Sequence, residues 1–283
     1  MEGDPQILIL GAGFVGSGVR AALGRHPVAV IDIPDHPELA RRDDDARKLI
    51  LGFVERGATA VINTCGRLRG TPDEMHDANV ALPTWLVSVL AGSGVRFVHL
   101  GSAAEYGDTG SADPIPESAP ARPQGPYGET KWAGTAAVLD ARAAGLDAVV
   151  GRGFNLVSAH LAPVSPLYQF LRDVTVAADG DTVELWWPAT LRDHILLDDL
   201  AGAVASLAQV PAVPDVVNLC SGTGVRFDEI VRAMAAAQHK HVEIRSLDRP
   251  GIPAVVGDPT RMTDLTGISA EMSAELIAAE SGI

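Results

Sequence analysis

The sequence holds only two cysteines in 283 residues, Cys65 and Cys220, and they form no CxxC pair. Neither a disulfide framework nor a zinc site can be built from them. Cationic residues are also scarce, 22 Lys and Arg against 36 Asp and Glu, for a net charge of −14. Nucleic-acid binding needs clustered Lys and Arg to neutralise phosphates, so that partner class is excluded. Long apolar runs are missing: Ile7 to Leu10 is typical, far below the roughly 20 residues of a membrane helix. The N-terminus does not join a basic start to an apolar core and a small-residue cleavage site. A cytoplasmic protein without a membrane partner is the expectation.

Apolar residues make up 47% of the chain, enough for a buried core, and this excludes disorder along its whole length. The length suits one large α/β domain, or one domain with a small second lobe. Through the first half, short apolar runs alternate with amphipathic stretches. The pattern predicts strands at 6–10, 28–32, 58–63, 95–100 and 147–152, and helices at 14–23, 44–56, 72–91 and 127–144. Val-, Ile- and Leu-rich runs separated by helices indicate an α/β fold with a doubly wound parallel sheet. Beyond 155 the pattern loosens around Pro163, Pro166, Trp186, Trp187 and Pro188. Helices at 198–208 and 227–238 and a strand at 213–220 follow. Residues 1–155 thus read as mainly a cofactor-binding domain. Residues 156–283 read as mainly a small C-terminal lobe capping the substrate, with 198–220 partly returning to the main sheet. The stretch 113–126 carries five prolines and reads as a surface connection.

The first strand runs into Gly11-Ala12-Gly13-Phe14-Val15-Gly16 and then into a helical pattern. GxGxxG alone is weak in a chain with 29 glycines. Between a first strand and a first helix it is the turn of a Rossmann dinucleotide site. The glycines allow a tight bend and close approach of a pyrophosphate to backbone N–H groups. The helix N-terminus adds positive partial charge without any Lys or Arg, which an acidic chain requires. Asp32 closes the second strand, placed to accept from both ribose hydroxyls and to repel a 2′-phosphate. Ile33, Pro34 and Asp35 supply no arginine for such a phosphate. The expected cofactor is therefore NAD rather than NADP.

Tyr127 and Lys131 stand four apart at a helix start and share one face. A free phenol titrates at about 10, too high for a base near neutrality. A neighbouring ammonium, together with an oxidised nicotinamide, favours the phenolate. The pair then takes a proton from an alcohol or returns one to a carbonyl. Ser102 lies just past the 95–100 strand, at the crevice formed by C-terminal strand ends, and can steady charge on the same oxygen.

The order of glycine turn, acid, strand-end serine and YxxxK resembles the extended short-chain dehydrogenase/reductase family, specifically its nucleotide-sugar epimerase/dehydratase group. The likeness covers nearly the whole chain. Gly13-Phe14-Val15-Gly16 is similar to that family's glycine turn, and Asn79-Val80 to its Asn-Val pair. Arg152-Gly153-Phe154-Asn155 resembles its Arg-x-x-Asn segment. Arg192-Asp193-His194-Ile195 with Asp198-Asp199, Val217-Asn218-Leu219 with Ser221-Gly222, and Asp258 to Arg261 resemble its later signatures. The resemblance implies catalysis by Ser102, Tyr127 and Lys131. It implies cofactor binding by Gly11, Gly13, Phe14, Val15, Gly16, Asp32, Asp44, Thr64, Cys65, Asn79, Lys131 and Phe154. Substrate binding falls to Ser102, Ala103, Asn155, Arg192 and Arg261, with no metal. A homodimer formed through the helices holding Asn79 and Tyr127 is implied as well.

Departures narrow the activity. Leu10 stands where the family has the first of three glycines. Ala103-Ala104 replace the acid pair of the dehydratases, and Ala104 replaces the glutamate of the decarboxylases, so both reactions are disfavoured. Glu105, one position on, is expected to point away. Val157-Ser158-Ala159-His160 replace the usual Gly-Pro, so the sugar pocket differs. Cys65 reads as a small buried group, and His194 as a packing residue. Trp186 and Trp187 read as lobe core or as a roof over a ligand, Arg67 and Arg69 as surface or as anion contacts. The function expected is that of an NAD-dependent enzyme of the NDP-hexose 4-epimerase type, working through a keto intermediate. One alternative is an NAD(P)-dependent ketoreductase or dehydrogenase of an NDP-keto-sugar or a non-sugar metabolite. Another is a non-catalytic NAD(P)-sensing regulatory protein, against which the presence of Ser102, Tyr127 and Lys131 argues.

Overall fold

The computed structural model describes residues 6–160, 163, 165–247 and 251–282. β1 (Ile7–Leu10) leads through the glycine turn into α1 (Phe14–Ala22), and β2 (Val28–Ile31) into α2 (Pro37–Arg41) and α3 (Asp44–Glu55). β3 (Ala60–Asn63) is followed by α4 (Pro72–His76), a π-helical turn at Asp77–Ala81, α5 (Leu82–Leu90) and β4 (Arg96–Ser102). A 3-10 turn, Ala103–Glu105, ends that strand, and α6 (Gly125–Ala143) leads into β5 (Ala148–Gly153). The second half contains β6 (Asn155–Val157), α7 (Pro166–Val176), β7 (Thr182–Leu185), β8 (Leu191–Leu196) and α8 (Leu197–Leu207). It continues with β9 (Val216–Leu219), β10 (Gly224–Arg226), α9 (Phe227–Ala237), β11 (Glu243–Ser246), β12 (Ala254–Val255), α10 (Thr260–Thr266) and α11 (Ala274–Glu280).

Six parallel strands form the central sheet in the order β2-β1-β3-β4-β5-β9. This is the doubly wound Rossmann arrangement. The order reverses between β1 and β3, so the crevice opens at their C-terminal ends. Leu10 pairs with Ile31 on one side and Asn63 on the other, which sets Asp32, the glycine turn and Thr64 side by side. Strand alternation divides the core. Ile7 and Ile9 pack with Val19, Leu200 and Val204, while Leu8 and Leu10 pack with Ile50, Leu86 and Val138. Each such fully buried aliphatic side chain contributes about 2 kcal/mol.

The remaining strands form small sheets beside this one. β8 pairs with β10, β12 and β6, and β7 pairs with β11. Around them α7, α9 and α11 enclose Phe170 and Phe227, whose rings meet edge to face at 5.0 Å. Among the described residues, no helix is long and apolar enough to cross a membrane.

Three local departures from the sequence reading have clear causes. The helix expected at 72–91 carries the π turn because Pro83 has no N–H for the Asn79 carbonyl, and its ring would clash there. α6 begins at Gly125, before Tyr127, since Pro126 is accommodated in the first turn of a helix. The 113–126 connection is not wholly superficial. Ile115 is 3% exposed, donates its N–H to Val256 O at 2.8 Å and accepts from Asp258 N at 3.0 Å.

Candidate active site

The three glycines of the turn have separate tasks. Gly11 has φ +100°, a conformation that disfavours a side chain, and a Cβ there would lie 2.8 Å from Thr64 Oγ1. A Cβ on Gly16 would fall 1.8 Å from the Gly11 carbonyl oxygen, so only glycine lets α1 start this close to the turn. Gly13, the N-cap of α1, faces open space: no atom lies within 4 Å of where its Cβ would be. That cradle, with the N-terminus of α1 behind it, fits a dinucleotide pyrophosphate. Thr64 fastens the turn, its hydroxyl reaching Leu10 O at 2.9 Å and Gly11 O at 3.2 Å. Asp32 Oδ1 accepts from Ala12 N at 3.2 Å, so the acid stands at the turn as a ribose-binding carboxylate must. Val15 packs into the core below, while Phe14 stays 39% exposed above it. Cys65 follows Thr64 with its thiol pushed up to about 12 by burial, next to Gly11.

Two cofactor assignments take a different form. Asn79 is wholly buried and its amide is committed to the protein. Nδ2 donates to Arg67 O (2.9 Å) and Thr130 Oγ1 (3.0 Å), and Oδ1 accepts from Arg67 N (2.8 Å). It joins the loop after β3 to α6 and does not offer its side chain to a ligand. Asp44 stands exposed in the first turn of α3, where the neighbouring Asp43 is the cap, accepting from Asp45 N and Ala46 N.

The three expected catalytic groups meet at one place. Ser102 is the last residue of β4 and sits beside Tyr127 on α6. The Lys131 ammonium, one turn on, donates to Leu100 O at 2.5 Å. Burial pushes the Tyr127 phenol above its ordinary value. The Ser102 hydroxyl pulls it back and the Glu105 carboxylate pushes it further. Burial also pulls Lys131 down, opposed by Glu105 and Cys65. Among the protein's own groups, then, the phenol moves opposite to the depression read from YxxxK, because desolvation and the Glu105 charge outweigh the Ser102 hydrogen bond. Beneath the site, His99 Nδ1 meets Asn63 Nδ2 at 3.1 Å, and burial beside Lys131 keeps that imidazole neutral.

Sequence reasoning missed the role of Glu105. It points away from the crevice, but into a wholly buried network. The carboxylate accepts from Ser102 N (2.8 Å), from the Thr135 hydroxyl (2.9 Å) and from Arg152 Nε (2.8 Å). Arg152 therefore does not face a ligand, and its guanidinium lies 4.4 Å over the Tyr106 ring. The signal was present: Ser102-x-x-Glu105 has capping-box spacing, and the structure forms that box.

A cavity of about 560 Å³ opens in front of Ser102 and Tyr127, lined also by Phe14, Ala103, Phe154, Asn155, Arg192 and His194. Asn155 Nδ2 donates to Asp193 O at 2.6 Å. The Asp193 carboxylate is fully buried and gathers the N–H groups of Ser221, Gly222 and Gly257, which locks β8 to the segments around it. Among the described residues, Arg192 donates only to the carbonyls of Leu191 and Ile252, and burial lowers it to about 10. Its charge is thus available to an anion in the cavity. His194 bonds Arg192 O through Nδ1 and is pulled down to about 4 by burial, a neutral packing group. Arg261 stands outside the lining of this cavity. Its guanidinium bonds Val216 O at 2.7 Å and lies 3.6 Å from both Glu117 and Asp215, so its charge is already matched. Trp186 and Trp187 are not lobe core. They are 38% and 36% exposed and, with Arg69, line a second cleft of about 1010 Å³ that meets the first at Pro166 and Phe227.

The profile of the NAD dependent epimerase/dehydratase family matches residues 7–220. The chain belongs to this family. It is 32% identical over 257 residues to dTDP-6-deoxy-L-talose 4-dehydrogenase (NAD(P)(+)) of Kitasatospora kifunensis, covering 85% of this chain and 81% of that one. It is 30% identical over 282 residues to UDP-glucose 4-epimerase of Streptomyces lividans, covering 87% and 85%. Among solved structures, UDP-glucose-4-epimerase of Stenotrophomonas maltophila with bound NAD and formylated UDP-arabinopyranose superposes with a TM-score of 0.83 at 21% identity, covering 98% and 97%. RMD of Pseudomonas aeruginosa with NADPH does so with 0.81 at 22%, covering 100% and 99%. An NAD-dependent epimerase/dehydratase is an enzyme with a resident dinucleotide, and NAD is the cofactor here. The turn at Gly11 to Gly16, the carboxylate of Asp32 and the Tyr127–Lys131 face of α6 are the parts of this family member that fit it. Among its described residues, no cluster of His, Cys, Asp and Glu could hold a metal.

Proposed function

We propose that this enzyme acts on a nucleotide-linked hexose at a ring carbinol carbon, as a 4-epimerase working through a keto intermediate. The observation that carries this reading is the convergence of Ser102 and Tyr127 on a cavity that Arg192 also lines, a cation with no carboxylate partner among the described residues. In an acidic chain, such an arginine is suited to an anionic group such as a diphosphate. Gly11, Gly13, Gly16 and Asp32 would hold NAD, with Phe14, Val15, Thr64, Cys65 and Phe154 about it; bound there, it supplies the reversible hydride acceptor. Tyr127 takes the proton of the substrate hydroxyl as its oxygen becomes a carbonyl, and gives that proton back on reduction. Ser102 steadies the oxygen in both steps. Lys131 holds the ribose side of the cofactor and Asn155 the sugar edge, while Ala103 keeps the wall beside Ser102 small. The family likeness also supports a cytoplasmic homodimer.

The 32% identity to a 4-dehydrogenase favours a second reading, in which the keto sugar is released or is itself the substrate. Incubation with UDP- and dTDP-hexoses separates the two. Epimerised product with no net change in NADH absorbance is expected. A stoichiometric change in NADH would replace the epimerase with the dehydrogenase or reductase. Turnover of none of these sugars would end the nucleotide-sugar reading.

A further inference from the structure

An ion pair buried under an active site needs a reason, because desolvation cancels much of its attraction and apolar residues of equal volume often serve stability as well. Glu105 and Arg152 form such a pair, 0% and 2% exposed and 2.8 Å apart. The carboxylate does more than neutralise Arg152. One oxygen bonds both the backbone N–H of Ser102 and the hydroxyl of Thr135, and Thr135 lies one helical turn beyond Lys131. The other oxygen bonds Arg152 of β5. Three elements that carry or flank the catalytic groups thus converge on one side chain.

We propose that Glu105 is a positioning residue, which fixes the distance from Ser102 on β4 to the Tyr127–Lys131 face of α6. This rests on the reading of those three residues as the reacting groups. Several groups surround the Tyr127–Lys131 pair: Ser102 and His99 from β4, Cys65 from the loop after β3, and Glu105 backed by Arg152, Tyr106 and Glu117. His99 is neutral and the Cys65 thiol stays protonated, both through burial. Glu105 is the anion that adds to the rise of Tyr127 and opposes the lowering of Lys131 by burial.

The test uses the NAD-saturated protein. Ring-13C tyrosine spectra report phenol ionisation; the chain has three tyrosines, and Tyr127→Phe assigns the signal of interest. Glu105→Gln removes the charge but leaves Arg152 buried without a counter-charge, so Glu105→Gln/Arg152→Gln is made alongside it. Thr135→Val removes one bond and keeps the charge. In the charge variants the Tyr127 midpoint is expected to fall, since the anion that raises it is gone. In Thr135→Val it should stay in place. In all three, kcat should fall by roughly tenfold with KM little changed, as misplacement of reacting groups does. A folded charge variant with wild-type midpoint and wild-type kcat overturns the proposal. Should both charge variants unfold, wild-type kcat in Thr135→Val overturns it. If the wild-type protein turns over no nucleotide sugar, the substrate reading falls, and the Tyr127 midpoint still decides for or against Glu105.

Discussion

The side-chain amide of Asn79 donates to the hydroxyl of Thr130 at 3.0 Å, and that hydroxyl in turn donates to Pro126 O at 2.8 Å. A residue on the π turn thereby holds the first turn of the helix that carries Tyr127. Asn79→Ala strips two backbone groups of Arg67 and one hydroxyl of their partners. The expected loss is about 2–4 kcal/mol in urea unfolding, since each buried orphan costs about 1–3 kcal/mol. Catalytic rate should fall with it, because Tyr127 loses its support. Unfolding at the wild-type midpoint would refute the tie.

Gly13 and Gly16 are predicted to fail differently. Gly13→Ala adds a methyl group to open space at negative φ, so the thermal midpoint should hold within about 1 °C, while NAD affinity falls by roughly tenfold or more. Gly16→Ala drives a methyl group into the Gly11 carbonyl, and this variant should lose several degrees before any ligand is added. Differential scanning calorimetry with NAD titration reads both. Equal behaviour of the two variants would contradict the division of labour in the turn.

Tyr127→Phe should lower single-turnover hydride transfer by about 10²–10⁴ without altering the far-UV spectrum. The pH dependence has a definite sign. Burial raises the phenol above its ordinary value, so the oxidising half-reaction, which needs phenolate, should accelerate with rising pH. The reducing half-reaction, which needs the phenol, should slow through the same midpoint. Stopped-flow absorbance of NADH at several pH values tests the pair. A rate for Tyr127→Phe close to that of the wild type would remove the acid/base role.

Arg192→Met removes a desolvated charge that has no carboxylate partner among the described residues. The thermal midpoint should hold or rise, because unpaired buried charge is costly. The KM for a nucleotide sugar should climb by roughly 10–100-fold, as expected for a lost charge-assisted contact to phosphate. A fall in stability with unchanged KM would reverse the assignment.

Local period and chain order made much of this protein legible in advance. The glycine turn, Asp32 and the Tyr127–Lys131 pair each depend on residues close in sequence within a regular element, and five of the six central strands stood out as short apolar runs in the first half. What the sequence hid depends on contacts made across the fold. Arg261 matches its expected segment but spends its charge on Glu117 and Asp215. The π turn follows from Pro83 acting on the carbonyl four residues before it. It is accommodated because Gly134 has no side chain to strike that carbonyl; an ideal Cβ would lie 2.0 Å away. Spacing placed Glu105 off the crevice, as the structure has it, and only the burial of Arg152 and Thr135 beside it reveals what it holds.

The bridge between Ile115 and Gly257 bears on how the chain folds. The segment that leads into α6 is seated by backbone groups from a distant part of the sequence, through Val256 O and Asp258 N. Closing so long a loop costs entropy that the turns and helices of the first half do not meet, so this seat depends on the two halves of the chain having come together.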